Sequence, residues 1–155
     1  MSVDGGASDL GVLTTEQTAT KTTSIKIRSY LSGGYVLQIL GSPPTYAGHT
    51  LATPSTPTAS VKGTEQFGIN AVDNTAPVIG ANLVQVPDTT TSFGVVNSNY
   101  ATPNVFMYNS GDVVAHSPTA SGETDFTISM ILNISNVTPA GHYSGDFSAV
   151  VIPVY

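Results

Sequence analysis

From Thr124 to Ser135 the chain alternates with a period of two. Phe126, Ile128, Met130, Leu132 and Ile134 point one way, and Thr127, Ser129, Ile131, Asn133 and Ser135 point the other. Side chains on a strand alternate between faces, whereas those on a helix repeat every ~3.6 residues. The stretch therefore predicts a long half-buried strand with its large apolar side chains on one face. Asn136-Val-Thr-Pro-Ala-Gly141 closes it with turn residues. His142 to Tyr155 predicts a second long strand, with Tyr143, Phe147, Ala149 and Val151 on one face and Val150, Ile152 and Val154 on the other. The two together read as a β-arch or hairpin that supplies much of a core.

The rest of the chain carries the same period and no helical one. Ser8–Leu13 is a short strand candidate, with Leu10 and Val12 on one side. Thr22–Leu31 alternates, with Ile25 and Ile27 inward and Lys26 and Arg28 outward. Ser32-Gly-Gly34 signals a turn into Tyr35–Leu40, a strand apolar on both faces. Gly41–Gly63 holds Pro43, Pro44, Pro54 and Pro57, so it reads as loop or edge, with a short strand at His49–Ala52. Glu65–Val72 alternates again, Val84 and Val86 mark an edge strand, and Ser92–Val96 is a weak strand. Asn97–Asn104 is a polar loop, and Asn109-Ser-Gly111 predicts a hairpin between Val105–Tyr108 and Asp112–Ala115. His116–Glu123 is a loop before the final pair. Thr, Val, Gly and Pro abound where helix formers would be needed. The fold class expected is all-β, an antiparallel β-sandwich of Ig-like, pilin-like or jelly-roll kind with little or no helix. One domain over residues 1–155 is expected, with residues 1–7 a flexible N-terminal segment.

Composition narrows the function classes. Charged residues are 9% of the chain, so its polar surface is built from Thr, Ser, Asn and Gly. That suits a secreted or bacterial cell-surface protein. The net charge is -6, with four basic residues in all. So few cations give no basis for phosphate-driven nucleic-acid binding or for docking on anionic lipid. There is no cysteine, hence no disulfide, thiolate metal site or cysteine nucleophile. No apolar run approaches the ~18 residues that a membrane helix needs, so no membrane insertion is expected. Met1-Ser-Val-Asp-Gly-Gly is polar and does not read as a signal peptide.

Reactive constellations are sparse. No nucleophile elbow and no phosphate-cradling glycine loop is present, and Asp88-Thr-Thr is not an aspartic-protease motif. His49, His116 and His142 lie far apart in sequence, each in a loop or at a strand start, and read as solvated residues rather than metal ligands. Glu123 and Asp125, two residues apart, project from one strand face. They are candidate calcium ligands or an acid/base pair, although a solvated strand start accounts for them as well. Asp73, Asp88, Asp112 and Asp146 sit near turns, where Asp bonds its own backbone. Tyr46 and Tyr100 lie in loops and are the candidate exposed rings for stacking on a glycan, against the plainer role of capping a sandwich end. A Lys26–Asn133 isopeptide bond is disfavoured, because Lys26 faces outward and Asn133 lies opposite the apolar face.

The end of the chain, Val137-Thr-Pro-Ala-Gly-His-Tyr-Ser-Gly-Asp-Phe-Ser-Ala-Val-Val-Ile-Pro-Val-Tyr155, resembles the terminal turn and strand of spore-coat-U-like and fimbrial subunit domains. Pro139, Ala140, Gly141 and Tyr143 carry the likeness. Ser8–Leu13 followed by Thr22–Tyr30 resembles the opening of secreted pilin-type β-sandwiches. The resemblance covers roughly the first 40 and last 32 residues and implies a bacterial surface protein, often a fibre subunit joined by strand exchange. This chain departs from the family in having no cysteine and few large apolar residues from Met1 to Ala7.

A non-enzymatic surface subunit is thus expected, one that associates with itself or with other surface proteins through strand edges. Leu10, Val12, Val150, Ile152 and Val154 are the candidate assembly residues. Phe147–Tyr155 carries no charge and is apolar on both faces, so it is either an internal core strand or a pairing edge. The alternatives are a capsid-like β-domain or a glycan- or calcium-binding module. The module would use the loops Ser42–His49, Asn97–Asn104 and Ser117–Glu123 at one sandwich end, with Tyr46, Tyr100, Glu123 and Asp125 as ligand residues. No other cofactor is expected.

Overall fold

A computed structural model describes residues 1–6 and 9–155. Among the described residues the elements are β1 (Ser2–Asp4), β2 (Ala19–Ser29), β3 (Gly34–Gly41), β4 (Thr45–Tyr46), β5 (His49–Thr50), β6 (Thr58–Ala59), β7 (Gln66–Asn70), β8 (Asn74–Thr75), β9 (Val78–Ile79), β10 (Val84–Val86), β11 (Val95–Val96), β12 (Val105–Phe106), β13 (Val113–Ser117), β14 (Ser121–Asn133) and β15 (Phe147–Val154). The one helical element among them is a 3-10 turn at Ser98–Tyr100. The fold is all-β and antiparallel, as the period-two patterning predicts.

Two main sheets form. One runs β1-β2-β14-β10, and β7 also pairs with β14. At 13 residues, β14 is long enough to hold β10 against Glu123–Asp125 and β7 against Ser129–Asn133. The other sheet runs β11-β13-β3-β15. Ile25 and Ile27 of β2, Phe126 and Ile128 of β14, and Tyr35 and Leu37 of β3 meet in one buried cluster between the sheets. Each is at most 3% exposed, so each contributes about 1.5–3 kcal/mol of burial. Burial pushes the Tyr35 hydroxyl pKa up to about 12, so the ring stays neutral in the core.

The far face of β14 departs from the expected pattern. Ser129, Ile131 and Asn133 are buried, while Met130 is only half-buried. Residues of β7 and of segments outside the sheet cover this face: Asn133 donates to Ser60 and to Gln66 of β7 and accepts from Thr18. Gly80 lies so close to the Ser129 side chain that a Cβ there would collide with it. A period-two pattern assigns alternation but does not show which face a neighbouring loop will cover.

Other local expectations are corrected. Asp9–Leu13 forms no strand; Asp9 Oδ1 accepts from the Gly11 amide at 2.8 Å, and Gly11 has φ +70, so the chain turns there. Leu10 packs against the core, while Val12 is 94% exposed. The N-terminal strand is instead β1, inside the stretch expected to be flexible, and it pairs with β2 through Ser2↔Lys26 to Asp4↔Ser24. Ala7 and Ser8, the ends of those two readings, lie outside the described residues. Thr22–Leu31 shifts to Ala19–Ser29, leaving Tyr30 and Leu31 exposed. The expected hairpin around Asn109-Ser-Gly111 is only a turn: β12 pairs with β6 and β13 with β3. His116 belongs to β13, not to a loop, and His49 starts β5, the second strand of the small β4–β5 hairpin.

The final pair is an arch and not a hairpin. β14 lies in one sheet and β15, which starts at Phe147 rather than His142, in the other. The intervening turn explains the Pro-Ala-Gly-x-Tyr pattern in physical terms. Tyr143 donates from its hydroxyl to the Pro139 carbonyl at 2.9 Å, a tyrosine corner that ties the turn to itself. The Tyr46 ring occupies the space where a Cβ at position 141 would sit, so any residue larger than glycine has to displace that ring.

Candidate assembly interface

β15 is an edge strand. It pairs with β3 alone, through Phe147↔Gly41, Ala149↔Ile39, Val151↔Leu37 and Pro153↔Tyr35 among its register partners. Opposite residues in an antiparallel pair either bond to each other or both point away. Gly111 donates to the Ile39 carbonyl from the β13 side, so Ile39 faces away from β15. Its partner Ala149 therefore directs its own N–H and C=O to the free edge, as do Phe147 and Val151, two residues to either side. Pro153 falls in the same set, which is where a strand tolerates a residue without an N–H. Among the described residues no backbone group pairs with that edge.

The outward face beside this edge is apolar. Val150 is 36%, Ile152 44% and Val154 46% exposed, and they adjoin Val36 and Leu40 of β3. No Lys, Arg, Asp or Glu occurs in β3, β11, β13 or β15. The opposite sheet carries Lys26 and Arg28 on β2 and Glu123 and Asp125 on β14. Lys26 Nζ lies 3.6 Å from Asp125 Oδ2 there. The two outer faces of the molecule thus differ in charge. Sheet edges are usually blunted by charge, bulge or cover, and β15 carries only Pro153 as a deterrent. The alternative of an internal core strand is overturned, because the β3 ladder ends at β15.

The remaining candidate residues do not converge. Ser42–His49 follows β3 at its Gly41 end, whereas Ser117–Glu123 follows β13 beside Tyr35 at the other end. Those ends are roughly 23 Å apart along β3. Tyr46 is therefore at one end of the sheets and Glu123 and Asp125 at the other, not at one shared sandwich end. Tyr100 is 1% exposed and donates to Asp112 Oδ2 at 3.1 Å, so it has no face to offer a sugar. Burial, reinforced by the Asp112 charge, pushes its hydroxyl pKa well above the ordinary tyrosine value. Its seven neighbours in Asn97–Asn104 are polar or small, and the sequence carries no sign that the ring turns inward. Among the described residues no group of three His, Asp or Glu side chains converges on a metal position. Leu10 and Val12 sit on no strand edge, which separates them from Val150, Ile152 and Val154.

Two side-chain clusters escaped the sequence pattern. At the Gly41 end, His49 Nε2 contacts Glu65 Oε2 at 2.8 Å, and Thr138 donates to the same oxygen. Ala52 N–H donates to Glu65 Oε1. Burial works against the Glu65 charge, but the bonds from His49, Thr138 and Ala52 outweigh it and hold the carboxyl below the ordinary glutamate value. Tyr143 packs edge-on to His49 and tilts against Tyr46. The cluster fastens the Asn136–Gly141 turn to the β5–β7 segment. The second cluster is an amide network. Asn70 and Asn74 exchange hydrogen bonds of 2.7 and 3.0 Å in the interior, and Asn74 also accepts from the Asn104 amide. Asp88, as its turn position predicts, accepts from Thr90. Asp112 instead holds Tyr100 and Asn109. The disfavoured isopeptide bond has no geometry to form in: Lys26 pairs opposite Asp125, roughly 26 Å along β14 from Asn133.

No protein-family model, curated protein or solved structure matches this chain.

Proposed function

We propose that this protein is a non-enzymatic structural or interaction subunit that associates through the open edge of β15. The observation that carries the reading is that edge: three amides with no partner in the described residues, beside an exposed, uncharged row of Val150, Ile152 and Val154. Adding a strand there supplies main-chain hydrogen bonds and covers apolar surface at once. The low charge of the chain suits a secreted or bacterial cell-surface setting. The resemblance of Pro139, Ala140, Gly141 and Tyr143 to spore-coat-U-like and fimbrial subunits supports the same class, a surface-fibre component or adhesion partner.

Ile152→Lys tests the reading. Position 152 is outward and exposed, so lysine reaches solvent there and the domain keeps its melting temperature. Light scattering across a concentration series should show the wild type associating and the folded variant monomeric. A variant that assembles like the wild type removes β15 from the interface.

A further inference from the structure

We infer that the strand received by β15 is the β15 of a second copy, paired antiparallel about a two-fold axis that passes beside Val150. The inference rests on the assembly reading above and names its partner. The free edge offers N–H groups at Phe147, Ala149 and Val151, and carbonyls at those three residues and Pro153. Turned about a two-fold axis at the middle of the strand, this pattern complements itself. Ala149 of one copy lies opposite Val151 of the other, and each pair exchanges two hydrogen bonds. Phe147 N–H meets the Pro153 carbonyl, so the missing proline N–H leaves no donor misplaced; the lone cost is the Phe147 carbonyl, which water can satisfy at the strand end.

Neighbouring registers fit less well. Centred on Ala149, Pro153 falls opposite Gly145; centred on Val151, Phe147 falls opposite Tyr155. Both of those residues lie outside β15. The side chains agree with the central register. Val150 would face Val150 of the second copy, and Ile152 would face Ser148, joining the two exposed apolar rows in one face. With no charge on any strand of this sheet, nothing in it repels an identical copy. The contact is isologous, so it closes at two copies and makes a continuous eight-stranded sheet.

The chain has no cysteine, which makes single-cysteine cross-linking unambiguous. Directly opposed residues in a non-hydrogen-bonded pair sit with Cα atoms about 4.5 Å apart, within the range a disulfide spans. Val150→Cys under mild oxidation should give a disulfide-linked dimer in at least tenfold excess over Val84→Cys, an exposed control on β10 in the other sheet. Mass analysis should show two copies and no larger species. Wild type that associates while Val150→Cys cross-links no better than the control overturns the two-fold register and leaves edge assembly standing. Assembly that grows past two copies through β15 overturns it as well and points to a head-to-tail contact. Binding of a different protein at Val150 and Ile152, with no self-association, overturns the choice of partner. Wild type that stays monomeric and binds nothing through β15 overturns the assembly reading along with it.

Discussion

Replacing Asn74 with alanine should cost more than any other single polar deletion in the molecule. Asn74 is 1% exposed; its Oδ1 accepts from Asn70 Nδ2 and from the Asn104 amide, and the two hydrogens of its Nδ2 are shared among Asn70 Oδ1 and the Val72 and Ile79 carbonyls. A neutral hydrogen bond contributes about 0.5–1.5 kcal/mol net, and a buried group left unpaired costs about 1–3 kcal/mol. Asn70 Nδ2 keeps the Val105 carbonyl as a partner, so it is not stranded. The Asn104 amide loses its acceptor, Asn70 Oδ1 and the two carbonyls lose the two amide hydrogens they share, and water entering the gap recovers part of the loss. The expected destabilisation is about 3–5 kcal/mol, a large share of the ~5–15 kcal/mol of a typical domain. Urea denaturation followed by fluorescence or circular dichroism reads it. Asn136→Ala, at an exposed position, is the control and should stay within about 0.5 kcal/mol. A loss below about 1 kcal/mol for Asn74→Ala would refute the claim that these buried amide hydrogen bonds stabilise the fold.

Ile128→Ala, at a site 3% exposed between the sheets, should cost about 2–5 kcal/mol, while Thr127→Ala on the outward face should cost under about 1 kcal/mol; chemical denaturation of both checks the register of β14. Ser129 Oγ is buried without a partner among the described residues, so Ser129→Ala should leave the melting temperature unchanged or raise it. Because the folded state depresses the Glu65 pKa, its contribution is complete above the reference value of 4.5 and is lost as pH falls through the lower folded value. Wild type should therefore lose stability over Glu65→Gln across that acid window, and parallel pH–stability curves for the two proteins would contradict the cluster.

The strands that carry side chains inward on every second residue were the legible part of the fold. Ile25, Ile27, Phe126 and Ile128 announce their facing by period alone, and they are the core. The middle of the chain was harder to read because its order comes from side-chain amides and long-range pairing. Nothing local indicates that Asn70 meets Asn74 in the interior, that β6 pairs with β12, or that Tyr100 turns inward onto Asp112. The β15 sequence showed a strand with two apolar faces but not its place in the sheet. Edge or centre is decided by which strands lie beside β3, and that is a property of topology. The Asp9–Leu13 failure is different in kind: a local Asp9–Gly11 turn overrode an alternation only two apolar residues long.

Amide hydrogen exchange along β15 at two protein concentrations tests the central claim most directly. In dilute solution, the amides of Ser148, Val150 and Ile152 face β3 and should be protected, while those of Phe147, Ala149 and Val151 face the open edge and should exchange rapidly. At high concentration the second set should become protected and the first should change little. Protection of all six amides at every concentration would make β15 an internal strand. Rapid exchange of Phe147, Ala149 and Val151 at both concentrations would mean that the edge is never paired, and would contradict the assembly account.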